Sequence, residues 1–169
     1  MRKFTSLMLM LLCAVTTAWA GPTDLPEFST EGNIKWYTIS NTRSTSGKYL
    51  YYTEAGVKDS NETIAASLFY VTGTAGACYI HNYATDKLFT GNGAWNETGV
   101  ACALTVSSHN TGLMIGYNGT FLNEQNSANG YTEWYDVNDL GSIFVFEPVT
   151  DFTKVINVPA AKEAAVATL

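Results

Sequence analysis

Between Ile34 and Val149 short apolar runs alternate with turn residues, and no stretch keeps a helical period. The runs recur. "YTISN" (37–41), "CYIHN" (78–82) and "LMIGYN" (113–118) each place an apolar residue two positions before an isoleucine, with an asparagine soon after. "GKYLYY" (47–52), "DKLFTG" (86–91) and "GTFLNE" (119–124) each follow a turn, and "SLFYV" (67–71), "CALTV" (102–106) and "SIFVF" (142–146) each close a unit. The spacings agree: Ile39, Ile80 and Ile115 are 41 and 35 residues apart, and Leu50, Phe89 and Leu122 are 39 and 33 apart. Phe69, Leu104 and Phe144 follow at 35 and 40. Three anchor sets in one order predict a threefold repeat of strand, turn, strand, variable segment, strand.

In "SGKYLYY" (46–52) strand alternation puts Leu50 and Tyr52 on one face and Tyr49 and Tyr51 on the other. Leu50 is the predicted core residue, and Tyr49 and Tyr51 line an outward shelf. No unit of about 40 residues buries its apolar face alone, so the three must share a core. Closing one sheet on itself also removes exposed edges. Three such units resemble the β-trefoil over residues 34–149, and "SGKYLYY" after "YTISN" is similar to the opening of a ricin-type lectin repeat. The ricin-type repeat closes with Gln-x-Trp. These units close with Phe-Tyr-Val, Leu-Thr-Val and Phe-Val-Phe instead.

The flanks differ from the repeats. Arg2 and Lys3, the apolar run Leu7 to Val15 and Ala18-Trp19-Ala20 before Gly21 predict a secretory signal peptide over residues 1–20, too short for a membrane span. Residues 21–33 read as an N-terminal linker. Residues 150–169 read as a linker and the start of a helix near Pro159, which suits the first module of a longer protein with a downstream catalytic domain. Without the leader, seven basic side chains face fifteen acidic ones, a net charge of −8. That balance argues against nucleic acid and anionic membrane surfaces, and no second segment is long enough for membrane insertion. The expected location is secreted, periplasmic or on the cell surface.

The residues offer little for catalysis. Gly-x-Ser-x-Gly, His-Glu-x-x-His and phosphate-loop patterns are absent from the sequence. Cys78, His81, Cys102 and His109 have irregular spacing for zinc, and His81, one past the inward Ile80, is expected to be an exposed strand residue. Asp136 and Asp139 read as a solvated turn rather than a hydrolytic pair. The reading therefore contains no catalytic residue, metal or cofactor. Cys78 and Cys102 are either a disulfide closing a loop of about 25 residues, worth about 3 kcal/mol, or two buried thiols. Each lies two residues before a predicted core position, so both should face inward.

Aromatic residues are the better lead. Trp36 abuts the first strand and reads as core, whereas Trp95 and Trp134 lie among Gly, Asn and Asp in the variable segments. A tryptophan there either plugs the barrel end or offers its flat face to a sugar, whose hydroxyls Asp or Asn would bind. Ricin-like trefoils use an early Asp, a later aromatic and an Asn in each pocket. That resemblance implies a carbohydrate site at Asp86, Trp95 and Asn96, and a partial one at Trp134, Tyr135, Asp136 and Asn138. The function expected is a non-catalytic carbohydrate-binding module with a glycan or polysaccharide partner. Two other readings stay open: a protease-inhibitor-like trefoil presenting Lys58, and a structural spacer.

Overall fold

The computed structural model describes residues 21, 23–43, 49–53, 56–60, 63–125 and 130–159, with 51–53 and 56–60 described as backbone. The predicted leader and the residues beyond Pro159 lie outside the described residues. Each repeat contributes four strands rather than the predicted three. Repeat one holds β1 (Tyr37–Asn41), β2 (Tyr49–Thr53), β3 (Gly56–Ser60) and β4 (Phe69–Thr74). Repeat two holds β5 (Ala77–Asn82), β6 (Leu88–Gly91), β7 (Ala94–Asn96) and β8 (Ala103–Val106). Repeat three holds β9 (Leu113–Tyr117), β10 (Thr120–Glu124), β11 (Tyr131–Trp134) and β12 (Phe144–Pro148). The extra strands β3, β7 and β11 come from the variable segments. They are only three to five residues long, too short for alternation to signal a strand.

Antiparallel pairing runs around a closed ring. Between repeats β4 pairs with β5, β8 with β9 and β12 with β1. Within repeats single bridges close the circle at Tyr37↔Phe69, Cys78↔Cys102 and Leu113↔Phe144. Six barrel strands therefore need no free edge. The other six form the hairpins β2–β3, β6–β7 and β10–β11, and β3 touches both β7 and β11.

The predicted anchors are the core. Ile39, Ile80 and Ile115 are buried, as are Leu50, Phe89, Leu122, Phe69, Leu104 and Phe144. The two sets Ile39, Ile80, Ile115 and Leu50, Phe89, Leu122, together with Trp95, line one cavity of about 10 Å³ where the repeats converge. An apolar space this small stays dry.

A polar position repeats as well. Asn41 Nδ2 donates to Gly141 O at 2.6 Å, and Asn82 Nδ2 to Ala66 O at 2.9 Å and Leu68 O at 3.3 Å. Each asparagine, at the end of a repeat's first strand, ties down the 3-10 turn of the repeat before it (Leu140–Ser142 and Ala65–Ser67). In repeat three Tyr117 takes this place, and its hydroxyl accepts from Asn92 N at 2.6 Å. Gly91, with φ +94°, makes room: a Cβ there would lie 2.5 Å from the Tyr117 ring. The asparagine seen in sequence, Asn118, instead turns the β9–β10 hairpin with Gly119, both at positive φ.

Both flanks pack onto the barrel. Ser29 N donates to Val71 O at 2.6 Å and Glu27 N to the Tyr37 hydroxyl at 2.8 Å, so the segment expected as a linker adds to the β4 side. After the barrel, Asp151 caps the turn Phe152–Lys154, and Ile156 pairs with Ile64. Val155 joins a second cluster with Ala65, Leu68 and Tyr83, against which Trp36, Val149 and Phe152 pack. This second apolar surface is what holds residues 150–158 down.

Candidate functional site

Strand register decides which aromatics face out. In β6–β7 Trp95 lies opposite Phe89, a core residue, and therefore turns inward. It stacks on Phe69 with centroids 5.3 Å apart and meets Phe89 edge-on at 5.6 Å. In β10–β11 the residue opposite the core Leu122 is Glu133, and Trp134 lies opposite Phe121 on the outer face. The two tryptophans look alike in sequence but differ by one residue in register.

The implied second-repeat site is thereby taken apart. Trp95 is a plug, half-buried against the core. Asn96, one residue on, faces away, and its Oδ1 accepts from Thr98 N at 2.8 Å, Thr98 Oγ1 at 2.9 Å and Gly99 N at 3.0 Å. Asp86 is exposed in the β5–β6 turn with φ +59°, and its charge acts on His81, Tyr70 and Tyr83 rather than beside Trp95. The inward turn of Trp95 removes the ring from the surface where Asp86 and Asn96 lie.

His81 is half-buried, not exposed. Its ring stacks on Tyr70 with centroids 4.3 Å apart, and Nε2 shares a hydrogen bond of 2.9 Å with Thr72 Oγ1. Burial lowers its pKa below the ordinary value, with Asp86 pulling the other way. Cross-strand pairing of Tyr70 with His81 explains the stack, because both leave the same face of the β4–β5 ladder. Cys78 and Cys102 face the core as buried thiols, on the opposite side of β5 from His81. The cysteines and His81 thus lie on opposite faces, and His109 is exposed in the loop between β8 and β9. Lys58, the residue that an inhibitor would present, has its backbone inside β3 opposite Tyr51, not in a loop; its side chain lies outside the described residues.

The third-repeat group does come together. Trp134 ends β11 and Tyr135 follows it, with ring centroids 4.9 Å apart and planes at 27°. Trp134 is 40% and Tyr135 73% exposed, so Tyr135 is the outer ring and Trp134 supports it from behind. Asp136 Oδ1, in the residue after Tyr135, accepts from Asn138 N at 2.8 Å, which fixes the carboxylate in the turn that follows the rings. No hydrogen bond to Asp136 Oδ2 or to the Asn138 side chain occurs among the described residues. Asn110 Nδ2 reaches Asn138 O at 3.5 Å.

The base of this segment is anchored by residues that no motif flagged. Asp139 Oδ1 accepts from Gly141 N at 2.7 Å and pairs with Arg43, whose Nη1 donates to Glu124 O at 2.6 Å. Asp139 is therefore an ion-paired cap, and not the solvated turn residue expected from sequence. Phe121 was legible as an outward residue next to Leu122, like Tyr49 next to Leu50. Arg43, nearly a hundred residues away in sequence, gave no local signal.

No protein-family model matches the chain, and no curated protein matches it in sequence. Solved structures do match. The chain is similar to a GlcNAcα1-4Gal-releasing endo-β-galactosidase from Clostridium perfringens, with a TM-score of 0.58 and 16% identity over 68% of this chain and 32% of that one. A salivary protein from Culex quiquefasciatus, of the Cysteine and Tryptophan-Rich family, gives 0.55 and 16% over 72% and 99%. BEL beta-trefoil, in an apo crystal form, gives 0.56 and 15% over 73% and 98%. The chain spans about a third of the endo-β-galactosidase and nearly all of the other two. At these identities the likeness establishes the fold: the chain is a β-trefoil.

Proposed function

We propose that this chain is an exported, non-catalytic carbohydrate-binding module, accessory to a larger glycan-active protein, with its site in the third repeat. The observation that carries the reading is the exposed Trp134–Tyr135 stack beside Asp136 and Asn138. A pyranose needs one flat apolar face for its C–H surface and paired partners for its hydroxyls. Tyr135 supplies the first, and the Asp136 carboxylate and Asn138 amide the second. That one structural neighbour is a glycan-cleaving enzyme, of which this chain spans about a third, is consistent with an accessory role. The signal-peptide pattern over residues 1–20 supports export.

A glycan array followed by titration calorimetry tests the reading. Tyr135→Ala should weaken binding about tenfold to a hundredfold, corresponding to roughly 1–3 kcal/mol. Its melting temperature should stay close to that of the parent, because the ring is a surface side chain. Unchanged glycan affinity in this variant would remove the third-repeat site.

A further inference from the structure

The threefold register allows the same surface position to be compared in all three repeats. Trp134 lies across from Phe121, the residue before the core Leu122. The matching pairs are Leu88↔Asn96 before the core Phe89 and Tyr49↔Ser60 before the core Leu50. The position that holds an outward tryptophan in repeat three is thus asparagine in repeat two and serine in repeat one. The next residue in repeat two is Glu97, where repeat three has Tyr135. Asn96 is also engaged, its carbonyl oxygen bound by Thr98 and Gly99. An aromatic platform at this position belongs to the third repeat alone.

The charge around that platform is one-sided. Asp136 directly follows Tyr135 in the chain, and Glu133 is exposed one residue before Trp134. Among the described residues the cation packed against this segment is Arg43. Its guanidinium is already paired with Asp139 and donates to the Glu124 carbonyl. A sulfate or carboxylate on a sugar would approach Asp136 and Glu133, neither of which pairs with a cation among the described residues. The whole chain adds to the repulsion, with a formal net charge of −6 that falls further when the leader is removed.

Resting on the glycan reading above, we infer that the module takes one neutral glycan per chain, on the Tyr135 face of repeat three, and rejects anionic glycans. Neutral sugars stack on the ring and donate hydroxyls to Asp136, whereas a charged substituent meets a like charge at short range. Screening should reduce the discrimination as salt rises, since the site lies in solvent.

The test is an array carrying N-acetyllactosamine, mannose and β-glucan oligosaccharides, each beside a sulfated or sialylated counterpart, read with the chain lacking residues 1–20. Neutral members should bind, with charged counterparts at least about tenfold weaker at low salt and the gap narrowing toward 1 M salt. Calorimetry on the best neutral ligand should give one site per chain. Asp136→Asn should narrow the neutral-to-anionic gap, and Tyr135→Ala should weaken the single site about tenfold to a hundredfold. Anionic members binding as well as neutral ones overturns the inference, as does a stoichiometry of two or three. Absence of binding across the array would overturn the glycan reading itself, and neutral-glycan affinity unchanged by Tyr135→Ala would overturn its location.

Discussion

Cys78 and Cys102 face each other across the barrel wall and exchange both backbone hydrogen bonds, N to O at 2.8 Å in each direction. They occupy the place that Tyr37 and Phe69 hold in the first repeat and Leu113 and Phe144 in the third. Such an exchanging pair brings its Cα atoms to about 5.5 Å, within the range of a bridge, yet both sulfurs are buried thiols in the structure. Their packing role is that of two small apolar residues where the other repeats use larger ones.

Those thiols predict a pH dependence. Burial pushes Cys78 up to about 11 and Cys102 up to about 12, the second helped by its neighbour. An acid whose folded pKa is raised stabilises the fold fully below its ordinary pKa, near 9, and that contribution is lost as pH climbs through 11 and 12. Urea unfolding should therefore show stability falling from about pH 9 upward, with a shallower slope in a Cys78→Ala, Cys102→Ala double variant. A thiol reagent at pH 8 should label neither cysteine in the native protein and both after unfolding without reductant. Labelling of none in the unfolded chain would show a bridge instead.

Trp95→Ala should behave as a core truncation. The ring stacks on Phe69 and lines the central cavity, so its loss should lower stability by about 3–5 kcal/mol, on the scale of Trp36→Ala. Glycan affinity should be retained wherever the variant is folded. Paired melting curves and calorimetry would detect the opposite pattern, a stable protein that no longer binds.

Asn82 is a buried amide whose Nδ2 serves two carbonyls, Ala66 O and Leu68 O. Asn82→Ala removes the side-chain donor to Ala66 O, leaves Leu68 O with Tyr83 N alone, and should cost about 1–3 kcal/mol. Tyr117→Phe, at the equivalent position, removes the partner of Asn92 N and should cost about 1–2 kcal/mol. Denaturant midpoints order the two variants, and equal shifts would mean that the buried carbonyls find other partners.

Arg43 anchors the segment that follows the proposed site residues. Arg43→Met breaks the pair with Asp139 and the bond to Glu124 O, and should cost about 1.5–3 kcal/mol. Hydrogen exchange should speed up at Asn138 to Ser142, and the glycan on-target affinity should fall severalfold. Faster exchange confined to other segments would show that this anchor does not hold the platform.

Periodicity determined the threefold repeat and its core, and the structure added the fourth strand of each repeat. Ile39, Ile80, Ile115, Leu50, Phe89 and Leu122 recur because each repeat must send the same side chains to a shared centre, and that requirement is written in spacing. Alternation also made Leu50 a core residue without any structure. What alternation could not say was the phase of the short cap strands. Trp95 and Trp134 sit in similar contexts, and a one-residue difference in cross-strand register sends the first into the core and the second to solvent. The half-burial of His81, the packing of both flanks and the Arg43–Asp139 anchor likewise depend on partners distant in sequence. Local sequence carries a residue's own preference for a face. Only the closed barrel decides which neighbour that face will meet.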